Sequence, residues 1–396
     1  HVQKVQQQAP ASEVRRACSM VPRLLLLLLA ASAQTHAFGG VRTATRRLTA
    51  RASAAVAVPA AAASALTALA DVTVISIDSG DLDVIAKWAE TGLITDATTN
   101  PLFVAQAGTS GDARYVAFVD AAVAYAKENA APDDVVELAM DRLAVLLGLA
   151  IVKLVPGYVS TEVDIRASFD TKESLRRARR IIKMYEAEGV DRSRVLVKLA
   201  GTWEGIRAAA ELEAEGITCN ITLIFGFIQA VAAAQAKARL ISPFPGRIKD
   251  WVSANGGSPT YEPDEDPGVV SVRRMHAYFK KYGHDKTIVM PASWRPSRGT
   301  SDPVYAVDEI LALQGVDRMT MPAAALALLA SLPPQPTKLD AISAAAGCAD
   351  AEVKMTESSF RLALTQDVAA TTKLAEGINS FIAETQKLEA AIRAKI

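Results

Sequence analysis

Val195-Leu196-Val197-Lys198-Leu199-Ala200 and, one helix's length later, Cys219-Asn220-Ile221-Thr222-Leu223 are the stretches that decide the fold. Each is a short, mostly apolar run that includes β-branched residues, as expected of a strand covered on both faces of a parallel sheet. Each also carries polar residues on a single parity: Lys198 in the first, Asn220 and Thr222 in the second. Side chains alternate across a strand, so these polar groups share one side while Val195, Val197, Leu199, Cys219, Ile221 and Leu223 take the other.

Working outward from them, strands are expected at Val72–Asp78, Leu93–Asn100, Val159–Asp164, Arg194–Ala200, Thr218–Phe225, Leu240–Phe244, Thr287–Ser293 and Arg318–Pro322, with helical patterns between. Alternation of this kind predicts an α/β fold, and eight strands is the number that closes a (β/α)₈ TIM barrel. Leu175, Ala178, Ile181, Ile182 and Tyr185 recur at helical spacing before the stop Gly189. Extra helices are expected after strand two, over Pro101–Asn129 and Asp133–Ile151. At the C-terminus they are expected over Ala323–Leu332 and from Ala369 to Lys395, with the break Pro333-Pro334-Gln335-Pro336 between.

The polar parity recurs near the carboxyl ends of other strands: Asp78; Asp96, Thr98 and Asn100; Glu162; Ser242; Ser293. A ring of polar groups there is where barrel active sites lie. A lone lysine in an apolar strand reads as an edge residue reaching for solvent. A lysine within such a ring reads as a nucleophile, because a neutral amine attacks a ketone to form an imine. Asp78 and Glu162 are the carboxylates available for the proton transfers this chemistry needs.

Composition removes several alternatives. The chain of 396 residues has zero formal charge, but its first seventy residues carry Lys4, Arg15, Arg16, Arg23, Arg42, Arg46, Arg47 and Arg51 against the single acid Glu13. The remainder is therefore net acidic, which argues against a nucleic-acid partner. Cys18, Cys219 and Cys348 make no disulfide framework, and His276 and His284 have no metal-ligand spacing, so no metal and no cofactor is expected. No GxxxxGK[ST] or GxGxxG pattern occurs.

Residues 1–70 read as an address that is removed, leaving 71–396 as the barrel. Met20, Arg23, the run Leu24–Leu29 and small residues through Ala33 have the order of a secretory signal. Phe38 to Ala70 is rich in Arg, Ser, Thr and Ala and free of acids, as transit peptides are. The pair resembles the bipartite presequences of algae with complex plastids, and a plastid location is expected. A plain secretory signal before an Ala-rich linker is the alternative, or a cytoplasmic location if the extension is not part of the natural chain. No membrane association is expected of the mature form, and a homodimer is the assembly left open.

From about Thr73 to Glu389 the sequence resembles the transaldolases of the class I aldolase superfamily. The resemblance rests on Asp96-Ala97-Thr98-Thr99-Asn100-Pro101, Ser160-Thr161-Glu162-Val163-Asp164, Val197-Lys198-Leu199-Ala200, and Thr202-Trp203-Glu204-Gly205-Ile206. It continues through Glu215–Leu223, Ile241-Ser242-Pro243-Phe244-Pro245-Gly246-Arg247-Ile248 and Asp250-Trp251. It implies Lys198 as the Schiff-base nucleophile, Asp78 as the base on the C4 hydroxyl, and Glu162, with a water held by Thr222, as the proton relay of imine formation. It implies Asn100, Asn220 and Ser242 around the dihydroxyacetone unit, Thr98 among the substrate-binding residues, Phe244 beside the catalytic water, and Arg247, Ser293 and Arg295 at the substrate phosphate. The substrates implied are sugar phosphates: sedoheptulose 7-phosphate and glyceraldehyde 3-phosphate would give erythrose 4-phosphate and fructose 6-phosphate. Phe244 and the long C-terminus look like transaldolase; a fructose 6-phosphate aldolase and a silent sugar-phosphate-binding barrel are the rival readings. Gly201, Gly226, Pro291, Trp294 and Pro296 depart from the family pattern, and Pro296 puts the geometry beside Arg295 in question because it fixes the backbone.

Overall fold

The computed structural model describes residues 63–337 and 339–396. Its centre is one sheet of eight parallel strands: β1 Val74–Asp78, β2 Ile94–Thr98, β3 Val159–Glu162, β4 Val195–Ala200, β5 Cys219–Ile224, β6 Leu240–Pro243, β7 Ile288–Val289 and β8 Arg318–Met321. Strands from β1 to β7 are neighbours in sequence order, and β8 returns to pair with β1. The seam between β7 and β8 is bridged by the Thr320 N–H donating to the Pro291 carbonyl at 3.2 Å and the Val289 N–H donating to the Asp317 carboxylate at 2.9 Å. All eight expected strands are present, and the architecture is a (β/α)₈ barrel.

Strands β4 and β5 are buried along their whole length, which accounts for their apolar runs. Helix Thr171–Ala187 forms where its pattern predicts, with Asp170 capping its start by accepting from the Glu173 N–H, and with Gly189 at φ +78° beyond its end.

Departures from expectation have local causes. Pro101–Asn129 is two helices, Pro101–Thr109 and Ala113–Asn129, separated at Gly111, whose φ is +76°. Strand β7 is shorter than expected because Pro291 has no N–H to donate and Ser293 turns to φ +63°. Helices Ala341–Gly347 and Glu357–Gln366 were not anticipated. The address read into the N-terminus lies outside the described residues as far as residue 62. The boundary drawn at Ala70 is too late, because helix Ala65–Ala70, capped by Ser64, buries Ala65, Leu66 and Leu69 and bonds through the Ala65 N–H to Leu332 O at 2.8 Å. It belongs to the folded body. Among the described residues no helix is long and apolar enough to cross a membrane.

The C-terminal helix Val368–Arg393 lies against the carboxyl end of the barrel. Its Ala370, Leu374, Ile378 and Phe381 form one apolar cluster with Ala200, Leu223, Phe225, Phe244 and Ile248. Leu223 reaches this cluster through an irregularity in β5, where its φ is +56° and the register with β6 shifts. Gly377 faces it so closely that an added Cβ would lie 2.8 Å from Leu223 Cδ2, which explains a glycine inside a helix despite its poor helix propensity.

Candidate active site

Strand register assembles the central group. Glu162 pairs with Lys198 across β3 and β4, and Lys198 pairs with Asn220 across β4 and β5. Lys198 is buried and its Nζ donates to the Thr99 carbonyl at 2.9 Å. The same Nζ stands 3.4 Å from Glu162 Oε2, an ion pair in which neither carboxylate oxygen has a protein hydrogen bond. The Glu162 side chain is only 4 % exposed, and burial pushes its carboxyl up to about 7 against the opposing pull of the Lys198 ammonium. The Thr222 hydroxyl, on β5, is likewise buried without a protein partner. Buried polar atoms of this kind suit a bridging water or a substrate oxygen better than an apolar ligand.

Asn220 is held from both sides. Its Oδ1 accepts from Ser242 Oγ at 2.9 Å and its Nδ2 reaches Ser160 Oγ at 3.4 Å. Asn100 lies at the start of helix Pro101–Thr109, where its Oδ1 caps the Phe103 N–H at 3.1 Å; the cap fixes its rotamer and leaves its amide nitrogen for a ligand. Asp96, read as part of the same ring, sits deeper: it accepts from the Tyr158 N–H and pairs with Arg318, a structural role.

Asp78 ends β1. Its Oδ1 accepts from Thr98 Oγ1 at 2.7 Å, and Thr98 Oγ1 lies 2.7 Å from Thr320 Oγ1 on β8. Burial raises the Asp78 carboxyl above the usual range, opposed by Lys198, by the Thr98 hydroxyl and by Arg247.

On the β6–β7 side, Phe244 packs edge-on against Phe225 at 5.5 Å, and the Arg247 guanidinium lies 5.1 Å over the Phe244 ring. Arg247 Nε donates to Ser293 Oγ at 3.1 Å. Gly246 permits this approach, since a Cβ there would fall 2.5 Å from the Ser293 carbonyl oxygen. Arg295 is exposed and its guanidinium turns to Asp250 at 3.2 Å, yet it lies near enough to Arg247 to disfavour that residue's charge. The turn after it is fixed from behind. The Arg295 N–H donates to Glu309 Oε2 and the Ser297 N–H to Asp308 Oδ1, both at 2.7 Å, and Lys249 Nζ donates to the Pro296 carbonyl. Two neighbouring cations beside a strained Ser293 form a pocket edge suited to a dianion.

The profile of the family described as Transaldolase/Fructose-6-phosphate aldolase matches residues 75–392. The chain belongs to that family. A transaldolase of Alteromonas mediterranea is 45 % identical over 334 residues, covering 84 % of this chain and 98 % of that protein. A transaldolase of Saccharomyces cerevisiae is 46 % identical over 328 residues, 82 % of this chain and 92 % of that one. A transaldolase of Haemophilus influenzae is 44 % identical over 334 residues, 84 % and 99 % respectively. The relatives place the chain with the transaldolases of its family.

With the family in hand, the residues that sequence reasoning missed are informative. Ser160 shares the parity of Glu162 one position deeper on β3, and Thr320 shares that of Arg318 nearer the carboxyl end of β8, so carrying the pattern along both strands would have found them. Thr99 contributes only its backbone carbonyl, which no pattern of side chains reports. The departure Trp294 donates its indole N–H to the Thr320 carbonyl at 2.7 Å. Among the described residues no group of three or more His, Cys, Asp or Glu is placed to hold a metal ion.

Proposed function

We propose that the chain is a transaldolase that moves a dihydroxyacetone unit between sugar phosphates through an imine on Lys198. The observation that carries this reading is a buried amine with Glu162 at 3.4 Å and a second carboxylate, Asp78, close enough to feel its charge. Lys198 Nζ attacks the C2 carbonyl of sedoheptulose 7-phosphate. Glu162, whose carboxyl keeps its proton to about pH 7, supplies through a water held by Thr222 the proton that lets hydroxide leave as water. Asp78 then takes the C4 hydroxyl proton, the C3–C4 bond breaks, and its electron pair flows to the iminium nitrogen. Erythrose 4-phosphate departs, leaving an enamine on Lys198. Glyceraldehyde 3-phosphate accepts the three-carbon unit, Asp78 returns the proton to the new hydroxyl, and hydrolysis frees fructose 6-phosphate. Asn100, Asn220 and Ser242 hold hydroxyls of the three-carbon unit, Thr98 lines the site beside Asp78, Phe244 shields the water, and Arg247, Ser293 and Arg295 take the phosphate.

Borohydride trapping with fructose 6-phosphate tests the reading. The expected result is a covalent adduct on Lys198 that is absent from Lys198→Ala; an adduct retained by that variant overturns the assignment. Product analysis with and without erythrose 4-phosphate separates transfer from simple aldol cleavage, because a transaldolase needs the acceptor to turn over.

Delivery to a plastid completes the proposal, supported by the signal-then-transit order of the N-terminal segment. A reporter fused to residues 20–63 is expected in the plastid of a complex-plastid alga, whereas secretion to the medium rejects it. Sedimentation of the folded body decides between monomer and homodimer.

A further inference from the structure

We propose that Thr320, on the last strand, is a positioning residue for Asp78, acting through the Thr98 hydroxyl. This rests on the reading of Asp78 as the base. The three oxygens form a line: Thr320 Oγ1 to Thr98 Oγ1 at 2.7 Å, and Thr98 Oγ1 to Asp78 Oδ1 at 2.7 Å. Thr98 and Thr320 are each 3 % exposed, so water does not compete for these bonds.

The direction of the line follows from proton counting. An ionised carboxylate only accepts, so Thr98 spends its one proton on Asp78 Oδ1, and the bond between the hydroxyls can then be donated only by Thr320. Without that donor, the Thr98 oxygen loses its incoming bond and its O–H is no longer polarised toward Asp78. With it, Oδ1 is committed as an acceptor, the carboxylate is held in one orientation, and Oδ2 is the oxygen left to take and return the substrate proton.

Thr320 is itself held on both backbone sides. Its N–H donates to the Pro291 carbonyl at 3.2 Å and its carbonyl accepts the Trp294 indole at 2.7 Å. The hydroxyl is therefore set by the seam that closes the barrel. The charged groups acting on Asp78 are Lys198 from β4 and Arg247 from the helix Pro245–Ala254, which favour its ionised form; Asp78 in turn disfavours the charge of Glu162 on β3.

The test is single-turnover trapping of the full chain carrying Thr320→Val, with Thr320→Ser as the hydroxyl-retaining control. Thr320→Val is expected to leave imine formation unchanged and to slow carbon–carbon cleavage about 2- to 10-fold, the size of one neutral hydrogen bond. The acid limb of cleavage should move to higher pH, because the anion loses donor support, and Thr320→Ser should restore both. A Thr320→Val enzyme with the parent's cleavage rate and acid limb overturns the proposal, as does a Ser variant as defective as the Val one. If Thr320→Val does not fold, Thr320→Ala and Thr320→Ser are compared by the same two readouts. Failure of the underlying reading is separable: Asp78→Ala would then accumulate the three-carbon adduct, whatever Thr320 does.

Discussion

The two sides of the barrel mouth are built by different rules. On the side of β1 to β5, Asp78, Thr98, Glu162, Lys198, Asn220 and Thr222 all project from strands, and strand register alone sets Glu162 beside Lys198 and Lys198 beside Asn220. On the side of β6 and β7, Arg247 comes from a helix, Ser293 from a residue at positive φ, and Arg295 from a turn held by Glu309, Asp308 and Lys249. The first side places proton-transfer groups where a small displacement is costly. The second places long cations at a rim, where reach compensates for irregular backbone.

Removing chemistry from the first side is the largest test of that division. Asp78→Ala is expected to form the imine and then stall, so that the borohydride-reduced protein carries the whole six-carbon sugar. Glu162→Ala should slow imine formation itself. General acid–base groups are worth ~10²–10⁴ in rate, so both losses are readily measured by mass spectrometry and quenched flow. A three-carbon adduct on Asp78→Ala would mean cleavage proceeds without it, and the two roles would have to be exchanged or abandoned.

The second side should respond in binding rather than in chemistry. Arg247→Ala is expected to raise KM for phosphorylated substrates about 10- to 100-fold, the effect of losing charge-assisted bonds to a phosphate, with a smaller change in kcat. Arg295→Ala should cost less, because its guanidinium is exposed and shared with Asp250. A collapse of kcat with unchanged KM in either variant would erase the distinction between the two sides.

A pH profile sharpens the same contrast. Burial holds the Glu162 carboxyl at about 7, so its proton is available below that pH and lost above it. Imine formation is expected to fall about tenfold per pH unit above 7, with that limb absent from Glu162→Gln and present in Arg247→Ala. The sign for stability runs the same way. A carboxyl raised from 4.5 to about 7 stabilises the folded state fully below 4.5, and this contribution is lost as pH rises through 7. Urea midpoints should therefore lose part of their slope over pH 4.5–7 in Glu162→Gln; an unchanged slope counts against the buried, proton-holding Glu162.

The contrast also explains what the sequence disclosed. Period-2 alternation in β4 and β5 is a direct imprint of the sheet, so the amino-acid sequence by itself places Lys198, Asn220 and Thr222. The same logic reached Glu162, Asp78 and Thr98. It failed at Asp96, which has the right parity but lies one layer too deep and serves Arg318 and Tyr158. Parity says which way a side chain points, not how far along the barrel it sits. At β7 the alternation breaks at Pro291 and at the positive φ of Ser293, so parity pointed to Ser293 but not to its turn, and Arg247 and Arg295 are reached only through family resemblance. Helix Ala65–Ala70 was missed for another reason: its alanines match the composition of the segment before it, and only its buried Leu66 and Leu69 and its backbone bond to Leu332 set it apart.

The smallest expected effect concerns the bond that joins the two sides. Trp294 follows Ser293 on the phosphate side, and its indole N–H donates to the carbonyl of Thr320, whose hydroxyl leads through Thr98 to Asp78. Trp294→Phe keeps an aromatic ring and removes this one donor, so a stability loss of about 1 kcal/mol is expected from chemical denaturation. If the bond only closes the barrel seam, the loss should stop there, and cleavage should proceed at the parent's rate. If it also fixes Thr320, cleavage should slow a few-fold while KM for phosphorylated substrates holds. A double-mutant cycle with Thr320→Val decides between these. Independent residues give additive changes within about 0.5 kcal/mol, whereas a shared line of bonds gives a combined loss in cleavage smaller than the sum, because breaking the line at either point already releases Asp78. Additivity would leave the two sides of the mouth as neighbours with separate duties. A sub-additive result would mean that the phosphate side, irregular as its backbone is, helps hold the base on the other side in place.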